Sequence, residues 1–386
     1  MTHLALLMMI VVTASDCPAQ EQGDSENMAS NSPLLKPWTG PYGGVPPWNQ
    51  VRESEFVAAF DAAIDATSEE INAIAENPEP PTFENTIVAM EDAGRSLNRL
   101  SSMFFVYASN LNLGAIPDIE KAVVPKLSAH EDSIYQNSKL FQRIAAIHES
   151  DAMSNGDFNL AQRRLVDDTY KTFLRKGAKL NDQEKARLSQ FNTRLARLFT
   201  EFSQNVLEDE KGYVTWIDDE EALAGLPESV VDAMESAAKE RDNTGGRWAV
   251  TNTRSSMDPF LTYSANRELR EKVWRNYYSR GDNGDKYDNN KIIAEILKLR
   301  AARAKLLGYE THAHWRMEPT IAKEPGAAMD LMMKVWPKAV ARVREEVADM
   351  QEIADEEKAG IKIEPWDYRY YAEKVRKDKY DLDFNE

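Results

Sequence analysis

The feature that most constrains this chain is a spacing. Between Asp182 and Glu208, the apolar residues Leu188, Phe191, Leu195, Leu198, Phe202 and Val206 fall three and four apart. At 3.6 residues per turn, that spacing collects these side chains into one heptad-like stripe, the mark of a long helix packed on a core. Asn181 stands where an N-cap belongs, and Glu184 occupies the position that completes a capping box. The same periodicity recurs in Phe56, Phe60, Ile64, Ile71 and Ile74, and in Ile292, Ile296, Leu299, Leu306 and Leu307, where Gly308 supplies a C-terminal stop. A further long helical pattern covers about 327–357, with Leu331, Val335, Val343, Val347 and Met350; Pro337 inside it predicts a kink.

The interruptions are equally readable. Asn77-Pro-Glu-Pro-Pro ends the first of these helices, because proline lacks the amide donor and disfavours a helical residue before it. Thr82 then caps a helix that carries Ile87, Met90 and Leu97 inward. Only 212–217 and 247–252 read as strands, a short pair flanking a helix near 227–239. No fixed-period repeat occurs. The expected fold class is mainly α, with one small antiparallel β element.

Lys plus Arg is 47 against 64 Asp plus Glu, a formal net charge of −17. No basic stripe overrides that total, which argues against nucleic acid as a partner. The single cysteine, Cys17, allows no intrachain disulfide and no cysteine metal cluster. The apolar run 4–12 is too short to span a bilayer but fits an export signal, with cleavage after Ala19, although the segment before it has no Lys or Arg. A lipid anchor on Cys17 is the alternative, with Asp16 fitting it poorly. The domain reading is then a signal peptide at 1–19, an extended tether at 20–50 ending in an aromatic run that packs on the body, a helical region at 51–210, and a second region at 211–386.

The search for chemistry finds no complete constellation. His130 and His148 are each followed by Glu, but the second histidine of a zinc helix is replaced by Ile134 and Ala152. Both histidines read as surface or cap residues. His312 and His314 open a helix, where residues two apart point in divergent directions, and packing against Trp315 is the expected role. Gly281-Asp-Asn-Gly-Asp285 reads as a turn, because Ile293 stands where a calcium loop needs its closing Glu. No nucleophile elbow and no phosphate loop are present. Catalytic residues: none. Metal-binding residues: none.

Several landmarks resemble one family. They are Glu79-Pro-Pro-Thr-Phe-Glu-Asn-Thr-Ile87, the region Arg267 to Tyr278, the Leu-Leu-Gly-Tyr ending at Tyr309, and Pro365-Trp-Asp367 with Tyr370 and Tyr371 behind it. From about Pro46 onward the chain resembles the thimet oligopeptidase and peptidyl-dipeptidase family of zinc metallopeptidases, most like the bacterial peptidyl-dipeptidases. The resemblance implies a helical, neurolysin-like shell around a channel that admits short peptides, and release of carboxyl-terminal dipeptides. It also implies a zinc ion on a His-Glu-x-x-His motif, which matches no position here. The chain is thus expected to be the amino-terminal part of an exported, periplasmic peptidase, inactive alone, with 211–386 the start of its peptidase domain. A downstream reading frame encoding the zinc motif is the corresponding genetic expectation. Two alternatives stay open: a non-catalytic helical protein that binds peptides or a partner, and one half of a split peptidase that needs a carboxyl-terminal half.

Overall fold

The computed structural model describes residues 32–242 and 244–381. The expected export signal and Cys17 lie outside the described residues. The fold is mainly α with one two-stranded antiparallel sheet, and the chain divides into compact units at 1–174 and 175–386. No helix among the described residues is long and apolar enough to cross a membrane.

The first unit is built on α1 (Phe56–Ala75), α2 (Ala89–Asp92), α3 (Arg95–Val106), α4 (Ile116–Tyr135), α5 (Ser138–His148) and α6 (Leu160–Arg175). Phe56, Phe60 and Ala63 of α1 meet Leu100, Met103 and Phe104 of α3 and Ile119 and Val123 of α4. Phe104 takes Phe56 and Phe60 edge-on, at centroid distances of 5.2 and 5.4 Å. Each fully buried Phe contributes about 2–3 kcal/mol, so these rings dominate the local core. Leu34 enters the same core completely, and half-buried Trp38 packs on it. The end of the expected tether is therefore part of the body.

One expected helix is interrupted. Thr82 caps it as foreseen, in a reciprocal box with Asn85, but its first turns are wide π-type turns over Phe83–Val88. The helix then stops at Ala93, and Gly94 has φ +73°. A Cβ at Gly94 would meet Thr67 Cγ2 at 3.0 Å. Close approach to α1 and the left-handed backbone thus both require glycine. Met90 is only half-buried as a result, while Leu97 reaches the core from the separate helix α3.

The second unit contains α7 (Asp182–Gly212), β1 (Thr215–Ile217), α8 (Glu228–Lys239), β2 (Trp248–Val250), α9 (Arg254–Tyr263), α10 (Arg267–Tyr278), α11 (Asn290–Leu306), α12 (His312–Met317), α13 (Pro325–Glu356) and α14 (Tyr368–Tyr380). The capping box of Asn181 and Glu184 forms at the start of α7. Leu195 and Leu198 of α7 pack on Ile292 and Ile296 of α11. β1 and β2 pair antiparallel with Trp216 opposite Ala249, and Ile217, Trp248 and Val250 share a core with Met234 of α8 and Phe260 of α9. Helix α13 continues through Pro337. Near its end, Met350 and Ala354 pack on Ile363 and Tyr371. Its earlier turns pack on little: Leu331 and Trp336 are each 65% exposed, and Met329, Met332, Met333, Val335 and Val343 are exposed as well.

Candidate functional site

The histidines come first, because the sequence singled them out. His130 is not a surface residue: it is 8% exposed on α4. Ser68 gives its hydroxyl proton to the Ile64 carbonyl at 2.8 Å and lies 3.2 Å from His130 Nδ1. Ser68 has one proton to give, so Nδ1–H is the donor to its oxygen and the ring is the Nδ1–H tautomer. Nε2 then carries a lone pair with no partner among the described residues. Burial holds the His130 pKa below the ordinary value, against the raising effect of Asp65. The sequence missed this burial because the apolar period of α4 is broken at this turn by a polar side chain that faces inward.

His148 ends α5 and is stacked flat on Tyr170 at 4.0 Å, with Nε2 3.3 Å from Asp167 Oδ1. It is the last helical residue and half-buried, while Glu149 takes the cap, so it is neither the surface nor the cap residue expected. His312 and His314 lie in the first turn of α12, which Thr311 caps. His312 leans on Trp315, with centroids 5.5 Å apart, while His314 Nδ1 lies 2.8 Å from the Thr311 hydroxyl. Burial, then Arg300, Arg303 and Arg316, push the His312 pKa down to about 4. The Asp282–Asp285 segment is a turn. Buried Asp209 accepts from the Gly281 amide and from Asn283, both at 2.7 Å. No group of three or more His, Cys, Asp or Glu able to hold a metal occurs among the described residues.

The sequence landmarks prove to be positioning devices. In the proline-rich segment, Arg143 of α5 donates to the carbonyls of Asn77 (2.8 Å) and Glu79 (3.0 Å), to Asn85 Oδ1 (2.9 Å) and to Thr86 Oγ1 (3.2 Å). One nearly buried guanidinium thereby satisfies carbonyls that prolines keep out of any helix. No sequence signal marked Arg143, which lies more than fifty residues away.

The Pro365-Trp-Asp367 segment works similarly. Asp367 is 0% exposed and Arg270 2%. Arg270 Nη2 reaches Asp367 Oδ1 at 2.8 Å, and Arg267 donates to both carboxylate oxygens, at 2.8 Å from Nη2. Arg270 also donates to the Ser264 carbonyl and lies over Tyr370, 4.2 Å from the ring centre. Trp366 covers this node, edge-on to Trp274 at 5.8 Å and under the guanidiniums of Arg267 and Arg275. The node ties α10 to the loop before α14. Both guanidiniums share the one buried carboxylate, so the node is a structural clamp on Asp367.

Comparison with known proteins agrees with these landmarks. A profile described as Peptidase family M3 matches residues 260–386, the stretch that contains the Asp367 node and α13. The chain is 34% identical over 356 residues to the dipeptidyl carboxypeptidase of Salmonella typhimurium, covering 92% of this chain and 52% of that protein. It is 32% identical to the dipeptidyl carboxypeptidase of Escherichia coli over the same shares. To oligopeptidase A of Haemophilus influenzae it is 28% identical, over 93% of this chain and 52% of that protein. The chain spans about half the length of the curated relatives it matches. Profile and identity point the same way: residues 260–386 match peptidase family M3, and nearly the whole chain is similar to about half the length of bacterial dipeptidyl carboxypeptidases.

Proposed function

We propose that this chain supplies the helical, substrate-enclosing part of a zinc metallopeptidase that releases carboxyl-terminal dipeptides from short peptides, and that it hydrolyses nothing without a complement carrying the zinc site. One observation carries the reading. In the turns of α13 from Met329 to Trp336, Met329, Leu331, Met332, Met333, Val335 and Trp336 form a broad exposed apolar face, with Asp330 and Lys334 on the remaining side. A helix face this broad and apolar is ordinarily packed against a neighbour, and a monomer does not stably present so much contiguous apolar surface. This helix lies within the segment matched by the family profile. The reaction and substrate class come from the relatives' name, dipeptidyl carboxypeptidase.

Zinc, when bound in such a peptidase, supplies the activated water for hydrolysis. The described residues here do not form a site for it, so none is assigned as a ligand or base. Their role in this reading is to wall the channel and keep folded proteins out. Export through the signal-like segment at 1–19, with residence in the periplasm, is part of the same proposal.

The test is complementation. The chain is co-expressed with the segment of a related dipeptidyl carboxypeptidase that bears His-Glu-x-x-His, and a blocked tripeptide is supplied with zinc. The expected result is chelator-sensitive dipeptide release by the pair and none by either part. Hydrolysis by the purified chain alone refutes the claim of inactivity. No hydrolysis by a folded, associated pair refutes the channel-wall role.

A further inference from the structure

The first unit contains a cleft that the peptidase reading does not use. It has a volume of about 560 Å3 and opens between the α2–α3 break, α4 and α6. That volume is within the range of small-molecule sites, roughly 300–1,000 Å3. Its floor is buried and mostly apolar, with Leu97 and Phe173 the largest apolar contributors. Tyr135 forms an aromatic wall, edge-on to Phe173 at 5.0 Å. The rim is acidic, with Glu91, Glu131 and Asp168 all exposed.

The charges on that rim are not equivalent. Asp168 is answered by Arg164, whose Nε lies 2.5 Å from Oδ2. Glu91 has no ion-pair partner among the described residues. Glu131, from α4 itself, and Glu91, from α2, line the same cleft as Tyr135 and as buried His130, whose Nε2 lone pair has no partner among the described residues; the Tyr135 pKa is raised by burial first, then by Glu131 and Glu91. No Lys or Arg lines the cleft. The break at Ala93–Gly94 lies on the wall of the cleft, between Glu91 and Asn98.

We propose that this cleft binds an organic cation: an ammonium or guanidinium group carried on an apolar stem. The stem lies against Leu97, Tyr135 and Phe173, and the charged head sits between Glu91 and Glu131. An aromatic wall beside two carboxylates favours a cation over a neutral ligand of the same shape by charge and by the ring quadrupole together. The chemistry is shared by free arylalkylamines and by Lys or Arg side chains of peptides. The site is independent of the channel-wall reading, and its failure would leave that reading untouched.

Isothermal titration calorimetry of the full chain tests it with 4-phenylbutylamine, its neutral isostere 4-phenylbutanol, and a short blocked peptide containing one Lys between apolar residues. The amine is expected to bind at least tenfold more tightly than the alcohol, and its affinity to fall as NaCl is raised. The exposed pair Glu91→Gln with Glu131→Gln is expected to lower amine affinity about tenfold and leave the alcohol unaffected. Circular dichroism matching that of the parent chain establishes that this variant is folded. Binding by the amine alone identifies a small amine as the source. Binding by the peptide, with or without the amine, identifies a side chain. Failure of both cations to bind, equal binding of the alcohol, or indifference to the double substitution overturns the proposal.

Discussion

Substituting Asp367→Asn removes one charge from the most buried ionic node of the second unit. Arg270 is then left at 2% exposure with its guanidinium unanswered, and Arg267, about a third exposed, loses its counter-charge too. Removing one partner from a buried pair costs about 3–5 kcal/mol, far more than the pair's net contribution, because the surviving charge stays desolvated. At 1.4 kcal/mol per factor of ten, local opening should increase about 140- to 3,700-fold. Hydrogen exchange followed by mass spectrometry reads this directly in peptides covering 254–263, 267–278 and 368–380. A global melt is the wrong assay, since two compact units need not unfold as one. Glu295→Gln is the control. It removes the partner of Arg194 from a pair that is 46% and 41% exposed, and costs under about 1 kcal/mol. Combining Arg270→Met with Asp367→Asn should recover part of the loss. It discharges the buried site but also forfeits the bond to the Ser264 carbonyl. If Asp367→Asn accelerates exchange no more than Glu295→Gln does, the buried-charge argument is wrong.

Further outcomes follow from the same structure. His312 should titrate near 4 in a histidine NMR pH series, and a midpoint near 6.5 would contradict the Arg-lined site. Between about 4 and 6.5 the unfolded chain binds a proton at this position that the folded chain refuses. Stability from His312 is therefore complete above about 6.5 and lost as pH falls toward 4. Gly94→Ala should destabilise the α2–α3 region by about 1–2 kcal/mol through its left-handed φ and the 3.0 Å approach to Thr67, seen as faster exchange across 82–106. Asn181→Ala should cost about 1 kcal/mol and fray the first turn of α7, measured by exchange at 182–186, because the capping bond to the Glu184 amide disappears. Leu331→Ser with Trp336→Ser should reduce binding of an apolar fluorescent dye to the chain without slowing or speeding exchange at 350–380.

Much of the local architecture was legible because it is local. Periodicity, caps and proline stops act over a few residues, so α1, α7, α11 and the two strands could be read where they occur. The interruption at Gly94 was not, since a lone glycine in an apolar period is ordinarily tolerated. Only the approach of Thr67 from another helix makes the break obligatory. The stripe Leu331, Val335 and Val343 reads like any buried face, yet periodicity reports which residues share a side, not whether a neighbour covers it. His130 was misplaced for the converse reason: it is buried where it meets Ser68, sixty-two residues away on another helix.

The motifs show the same division. Sequence alone determined that this is an acidic, mainly helical chain with the landmarks of a zinc peptidase family, because residue types and short spacings suffice for that. Tertiary structure decided what the landmarks do. Asp367 and the proline-rich segment read as family landmarks without an assigned role, and each proves to be the anchor for an arginine distant in sequence, Arg270 with Arg267 in one case and Arg143 in the other. A buried carboxylate or carbonyl must find its partner, and which partner it finds depends on how helices pack, a fact that no local pattern encodes.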